Sequence, residues 1–332
     1  MKLILARYAA RLERAVDRFR TPQIARRIDP YIGYATPENL IVRGRVLANP
    51  KAVDATVGQS RWRNFRQMVA LFATDEVAGV TVTANGVTAV SDEEGYFTII
   101  LPRGDATGIV NVTVKAGEIS TLCPVLVPDP AAPHGVISDI DDTMMRTGAY
   151  SLWRNVWTSM TGNALTRDVF ADAVTLMKIL GAGNAPVFFV SSSPWNFHGF
   201  LRDTFARAGL PFAPMFLRDY GVSETQFITG THGDHKGSAI DVIMAAASDT
   251  MFILIGDTGQ HDAVVYRDAI ARHPDRIKHV ILRAAGRVDA HDRDIIAAIR
   301  ATGVPVTVGV DYSQAIALFR EAPNATNARH HI

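Results

Sequence analysis

Two textures of hydrophobic patterning divide this chain. Across residues 38–128, apolar and polar positions alternate in short runs: Leu40–Leu47, Val80–Thr83, Val87–Val90, Tyr96–Leu101, Ile109–Lys115 and Ile119–Val127. A period of two marks strands with one buried face. Asn85-Gly86 predicts a hairpin, because both residues tolerate positive φ, and Asp92-Glu93-Glu94-Gly95 predicts a second turn. Arg61–Phe72 reads as a helical excursion between the first two strands. From residue 134 the pattern changes. Continuous apolar runs near 135–139, 186–190, 251–255, 279–283 and 304–310 alternate with amphipathic stretches such as Asp168–Leu180, Phe197–Ala208, Gly237–Ala247 and Ala290–Thr302. Apolar strands separated by helices predict an α/β domain, with a parallel sheet buried on both faces and right-handed crossovers. Pro128–Pro133 between the two regions predicts a stiff, extended linker.

The first residues follow a third pattern. Ile4, Leu5, Tyr8, Leu12, Ala15 and Phe19 recur at helical spacing, while Arg7, Arg11, Arg14 and Arg18 form a separate stripe. Residues 1–29 hold eight Lys or Arg against Glu13, Asp17 and Asp29. A basic amphipathic helix over 1–30 either lies on an anionic membrane surface or packs on its own protein with a solvated Arg face. At the other end, 321–332 reads as a flexible tail.

Composition narrows the classes. A length of 332 residues predicts about two domains, and 48% hydrophobic residues suffice for real cores. A net charge of +1 implies no nucleic-acid partner. One cysteine, Cys123, excludes an internal disulfide, fits a reducing compartment and falls at a position expected to be buried. No stretch approaches 18 uninterrupted apolar residues, so no spanning helix is expected.

The chemistry-bearing residues sit where the apolar runs stop. Gly135-Val-Ile-Ser-Asp139-Ile-Asp141-Asp142-Thr143 ends a strand in three carboxylates. Asp139 and Asp141 lie two positions apart, so on extended backbone they point the same way, about 7 Å apart. Like charges that close are unfavourable unless a cation or phosphoryl group uses them, and Mg²⁺ accepts such a pair. Val187–Val190 stops at Ser191-Ser192-Ser193-Pro194, where a hydroxyl next to the first strand can hydrogen-bond a phosphoryl oxygen. Lys236 opens an amphipathic segment, and Met251–Ile255 runs into a loop bracketed by Asp257 and Asp262. Taken singly, each is an ordinary turn or a solvated charge. Ligands of open α/β sheets bind at the carboxyl ends of strands, and these motifs all fall there.

In this order the motifs resemble those of the haloacid dehalogenase superfamily. Asp139–Thr143, Val190–Trp195, Phe216-Leu-Arg-Asp-Tyr-Gly221, His235-Lys236 and Ile255–Gln260 are more specifically similar to one branch. It comprises the fungal actin-patch-associated phosphatidate phosphatases and their bacterial relatives, with the lipins as distant kin. The similarity covers about 131–312, within a catalytic domain read as 131–320. Ser192 stands where Asn is expected, and Ala284-Ala285 where an Asp is expected soon after Arg283. The resemblance implies a Rossmann-like sheet with a small cap, the 135–139 strand lying between 186–190 and 251–255. It implies Asp139 as nucleophile, Asp141 as general acid and base, and Ser191 and Lys236 on the phosphoryl group. Mg²⁺ falls to Asp139, the Asp141 carbonyl and Asp257, with Asp262 as ligand or support. Thr143 is expected to bond backbone through its hydroxyl. The region 38–128, through Gly79–Val82 and Asp92–Phe97, resembles a transthyretin-like or carboxypeptidase-regulatory β-sandwich and shows no catalytic constellation.

Access to the site bears on the substrate. Met144–Arg167 is too short for a large cap, which suits a phosphomonoester attached to something big. Trp153 and Trp157, one helical turn apart, form either a membrane-facing flap or an aromatic patch packed on the domain. The resemblance implies phosphatidate. The lone cysteine predicts a cytoplasmic location, and the basic segment and the tryptophans offer peripheral contact with the inner membrane surface. A soluble phosphomonoester or phosphoprotein with the same chemistry is the alternative, followed by a non-catalytic lipid-sensing domain.

Overall fold

The computed structural model describes residues 27–48, 77–146, 169–218, 235–286 and 288–321. The segment 1–26, the excursion at 61–72, the Trp153/Trp157 insertion and residues 322–332 lie outside them.

The β-rich region contributes β1 (Arg27–Ala35), β2 (Asn39–Leu47), β3 (Thr81–Ala84), β4 (Val87–Val90), β5 (Tyr96–Pro102), β6 (Gly108–Ala116) and β7 (Ile119–Val127). The expected sandwich is corrected: among the described residues the seven strands join one sheet, in the order β4-β3-β6-β7-β1-β2-β5. The sheet rolls partly toward a barrel. Val82 and Ala84, near one end of the order, share a core with Phe97, Ile99 and Leu101 at the other, around Val42, Val114 and Cys123. Period-two patterning marks one inward face per strand, and that is equally true of two packed sheets and of one rolled sheet. The Asn85-Gly86 hairpin forms as read, with φ of 47° and 81° joining Ala84 to Val87. Cys123 is fully buried, which pushes its thiol pKa up to about 12.

β1 departs from the sequence reading, which carried the N-terminal helix to residue 30. Arg27 to Pro30 instead pair antiparallel with Leu47 to Gly44 of β2. Between Tyr31 and Tyr34, two residues of β1, Ile32 and Gly33, then oppose one of β2, Val42, a bulge that holds Gly33. The linker differs as well. Asp129 accepts the Ala131 N–H on its side chain at 2.9 Å and the Ala132 N–H on its carbonyl at 3.0 Å, so the chain turns there and is not extended.

The second region alternates as expected: β8 (Gly135–Asp139), α1 (Ala171–Leu180), β9 (Val187–Pro194), a 3₁₀ turn (Trp195–Phe197), α2 (His198–Ala208), β10 (Met215–Arg218), α3 (His235–Ala246), β11 (Phe252–Asp257), α4 (Asp262–Arg272), β12 (Ile277–Arg283), α5 (Ala290–Ala301), β13 (Val306–Gly309) and α6 (Ser313–Glu321). All its strand pairings are parallel, in the order β10-β9-β8-β11-β12-β13. Alternate strand residues feed opposite faces. Ile137, Phe188, Leu254 and Val280 pack with α3, α4 and α5, whereas Val136, Phe189, Ile253 and Ile281 pack with α1, α2 and α6. Burial on both sides explains why these strands read as unbroken apolar runs. The result is a three-layer α/β/α domain with β8 between β9 and β11.

Gly33 tests the register of the first sheet. A Cβ there would lie 2.1 Å from the Ile41 carbonyl oxygen and 3.2 Å from Val125 Cγ2. Gly33→Ala is expected to destabilise the protein by about 3 kcal/mol through overpacking against backbone that has no room to yield. Denaturant unfolding measures it, and an unchanged midpoint would contradict the bulge as described.

Candidate active site

The strand order brings four sequence-distant loops to one edge. β8 is buried throughout, so its backbone delivers Asp139 to the carboxyl end of the sheet, flanked by the ends of β9 and β11. Asp142 takes φ of 56°, turning the chain directly after Asp141. Asp139, Asp141, Ser191, Lys236, Asp257 and Asp262 are all buried, although Asp and Lys are the residue types least often found inside.

Lys236, at the start of α3, ties two elements together. Its Nζ lies 2.6 Å from Asp139 Oδ1 and donates to Asp262 Oδ1 at 2.5 Å. Burial alone would depress the ammonium pKa. The charges and hydrogen bonds of Asp139 and Asp262 overcome that and raise it, so Lys236 stays charged. Asp139 moves the other way from an ordinary carboxylate: burial, then the Asp262 charge, push it well up against the pull of Lys236. Asp262 places its second oxygen 3.1 Å from the Asp257 N–H. Both of its oxygens are therefore engaged, which matches a supporting role better than a ligand's. Gly256 is required for that approach, since a Cβ would meet Asp262 Oδ2 at 2.6 Å.

On the other side, Asp141 Oδ2 accepts from Ser191 Oγ at 2.6 Å and Ser193 Oγ at 3.0 Å. Ser191 Oγ also accepts the Ser193 N–H at 2.9 Å. Burial raises the Asp141 pKa, and the two hydroxyls, which favour its charged form, partly oppose the rise. Ser193 received no role from sequence, although strand alternation puts it beside Ser191 and leaves the intervening Ser192 exposed. Gln260 was also passed over. Its Nε2 donates to the Asp141 carbonyl at 3.1 Å and to Asp142 Oδ2 at 3.4 Å, while its N–H caps Asp257 Oδ1 at 2.8 Å.

Thr143 is corrected. Its hydroxyl is buried without a hydrogen-bond partner, and the brace comes from Tyr312, whose hydroxyl donates to the Thr143 carbonyl at 3.2 Å. Arg283 lies 4.2 Å from the Tyr312 ring and pairs with Asp172 at 2.6 Å, anchoring that support to α1.

The donor set suits a hard cation. Asp139 Oδ2 and Asp257 Oδ2 are buried and accept no hydrogen bond, and the Asp141 carbonyl, which accepts from Gln260, keeps a second lone pair. Among the described residues no three His, Cys, Asp or Glu side chains converge as a metal site. Two carboxylates and a carbonyl need no third side chain, because Mg²⁺ keeps waters in its remaining positions.

A buried carboxylate pair with a lysine at the carboxyl edge of a parallel sheet defines a polar catalytic-type centre. Residues 134–284, which include all six site residues, match the family model described as phosphatidate phosphatase APP1, catalytic domain. The phosphatidate phosphatase APP1 of Saccharomyces cerevisiae is 27% identical over 243 residues, covering 69% of this chain and 40% of that protein. An uncharacterized protein of Schizosaccharomyces pombe is 28% identical over 149 residues, covering 45% of this chain and 24% of its own. The chain thus spans less than half the length of these curated relatives. A solved carbohydrate acetylesterase from Xanthomonas citri overlaps 85% of this chain and 74% of its own, at 11% identity and a TM-score of 0.26, too low to carry an argument.

Burial and the Asp262 charge raise the Asp257 pKa to about 7. The folded, metal-free protein then binds a proton at Asp257 that the unfolded chain, near the ordinary carboxylate value, has already lost. That contribution to stability is present at acid pH and is lost as pH rises through about 7. His198, whose burial lowers its pKa to about 3, acts in the opposite direction, so the prediction concerns a difference. In chelator, the stability of Asp257→Asn relative to wild type should grow as pH rises from about 4 to about 7. A difference independent of pH would contradict a buried Asp257 carboxylate with one oxygen left without a partner.

Proposed function

We propose that this chain is a Mg²⁺-dependent phosphatidate phosphatase, yielding diacylglycerol and phosphate through an aspartyl-phosphate. One observation carries the reading: the segment that resembles a phosphatidate phosphatase catalytic domain is the segment whose strand ends gather Asp139, Asp141, Ser191, Lys236 and Asp257. Asp139 attacks phosphorus in line, forming a bond to phosphorus as the bond to the ester oxygen breaks. Asp141 gives its proton to the leaving alkoxide. It then takes a proton from the water that attacks the acyl phosphate, which releases phosphate and frees Asp139. Burial favours the proton on Asp141 that the first step needs, and the two serine hydroxyls orient the carboxyl group. Lys236 donates to phosphoryl oxygens as their charge builds, joined by Ser191, whose single hydroxyl proton turns from Asp141 to the phosphoryl group while Ser193 keeps Asp141 oriented. Asp262 keeps Lys236 aimed at Asp139.

Asp139, the Asp141 carbonyl and Asp257 are the groups that would hold Mg²⁺, which when bound supplies positive charge at the transferring phosphoryl group. Residues 1–20 and the Trp153/Trp157 segment are our candidates for contact with the lipid surface that carries the substrate. No helix among the described residues is long and apolar enough to cross a membrane.

The test is turnover across vesicle-bound phosphatidate, phosphopeptides and sugar phosphates. Phosphatidate should be preferred, with activity lost in EDTA and restored by Mg²⁺. Asp139→Asn should retain less than about a hundredth of the wild-type rate while remaining folded. Preference for a soluble phosphomonoester would reassign the substrate. Full activity in chelator, or in Asp139→Asn, would overturn the mechanism.

A further inference from the structure

The strand that supplies Ser191 and Ser193 ends against the other sheet. Trp195 follows Ser193 by two residues, and its indole lies flat on Tyr31 of β1, with ring centroids 5.0 Å and planes 11° apart. Tyr96 of β5 stands 6.3 Å from the same indole. Arg43 of β2 brings its guanidinium to 5.5 Å from it, a distance at which a cation is drawn to the ring face.

Arg43 is itself fixed between the two domains. Its Nη2 donates to the Ile32 carbonyl of β1 at 2.9 Å and to the Met215 carbonyl of β10 at 3.3 Å. Its guanidinium also lies 5.2 Å from the Tyr34 ring and 4.9 Å from the Phe216 ring. Tyr31 reaches on to His198 at the start of α2, ring centroids 4.1 Å apart, and Asp29 meets Arg202 of that helix at 3.7 Å. The outer faces of β1 and β2 therefore grip the turn that follows β9.

The path from this grip to the chemistry is short and stiff. Only Pro194 separates Ser193 from Trp195, with φ of −68° fixed by its ring. Ser193 and Ser191 both donate to the same oxygen of Asp141. A shift of the indole is thus passed directly to the hydroxyls that orient Asp141.

We infer that the β-rich domain is a working part of the catalytic centre, its Tyr31 and Arg43 clamping Trp195 and so holding Ser191–Ser193 against Asp141. Tyr31 and Arg43 are positioning residues, and the inference rests on the phosphomonoesterase reaction proposed above. It also accounts for the tryptophan of the Ser-Pro-Trp run, which the reaction itself does not use.

In the full chain, Tyr31→Leu and Arg43→Met should each lower kcat on a short-chain, water-soluble phosphatidate about ten- to a hundredfold, the scale set by small misplacements in a catalytic site. KM and the Mg²⁺ concentration for half-maximal activity should stay within about twofold, because substrate and metal are held by other groups. Tyr31→Phe keeps the ring and should retain wild-type kcat. Tyr31→Leu added to Trp195→Leu should cost less than about threefold more, since residues acting through one element are not additive. Unchanged kcat per folded molecule, or fully additive losses, would overturn the inference. A second readout uses Trp195 as the sole indole, with Trp62, Trp153 and Trp157 replaced by Phe. Acrylamide quenching of its fluorescence should rise in Tyr31→Leu and in Arg43→Met. Unchanged quenching with an active parent overturns the clamp alone, whereas a parent inactive on every phosphomonoester overturns the proposed function and the catalytic half of the inference with it.

Discussion

Lys236 between Asp139 and Asp262 is the contact on which the rest of the site depends. Two carboxylates and one ammonium are removed from water together, at a desolvation cost of several kcal/mol per ion that their mutual attraction only partly offsets. Two carboxyl groups share one ammonium, and Asp139 retains a buried oxygen with no partner. A stability-driven fold would replace such a group with apolar side chains. Its retention, next to a second unpartnered oxygen on Asp257, is what a site built for a cation and a phosphoryl group requires.

The parallel sheet makes this arrangement affordable. Side chains from β8, β9 and β11 meet only because β8 lies between the other two, and α3 brings Lys236 across to them. Glycine at 256 lets Asp262 come within hydrogen-bond reach of the β11 backbone. The second sheet is joined to the same edge through Trp195 and Arg43, the contact by which, on our inference, it bears on the geometry of Asp141.

Much of this was legible in the chain. The continuous runs at Val187–Val190 and Met251–Ile255 announced strands buried on both faces, and the polar residues that stop them are those the sheet edge gathers. What escaped depended on partners distant in sequence. β1 holds a proline and a bulged glycine and follows an Arg-rich segment, so only its pairing with β2 and β7 makes it a strand. A sandwich and a rolled sheet share one alternation pattern, and the choice lies in how the ends of the sheet meet. The brace on Thr143 comes from Tyr312, 169 residues away, beyond the reach of any local rule. Ser193 was within reach, since its two-residue offset from Ser191 already placed both hydroxyls on one side of the strand.

In the mechanism we propose, Asp139, held by Lys236 in a buried, under-partnered state, takes the phosphoryl group onto its own carboxylate. Acid quenching during turnover of substrate labelled in its phosphate, followed by peptide mapping, tests it directly. A hydroxylamine-sensitive acyl phosphate is expected in the peptide that contains Asp139 and should be absent from Asp139→Asn. Label on a different residue, or active turnover with no labelled peptide at any quench time, would contradict it.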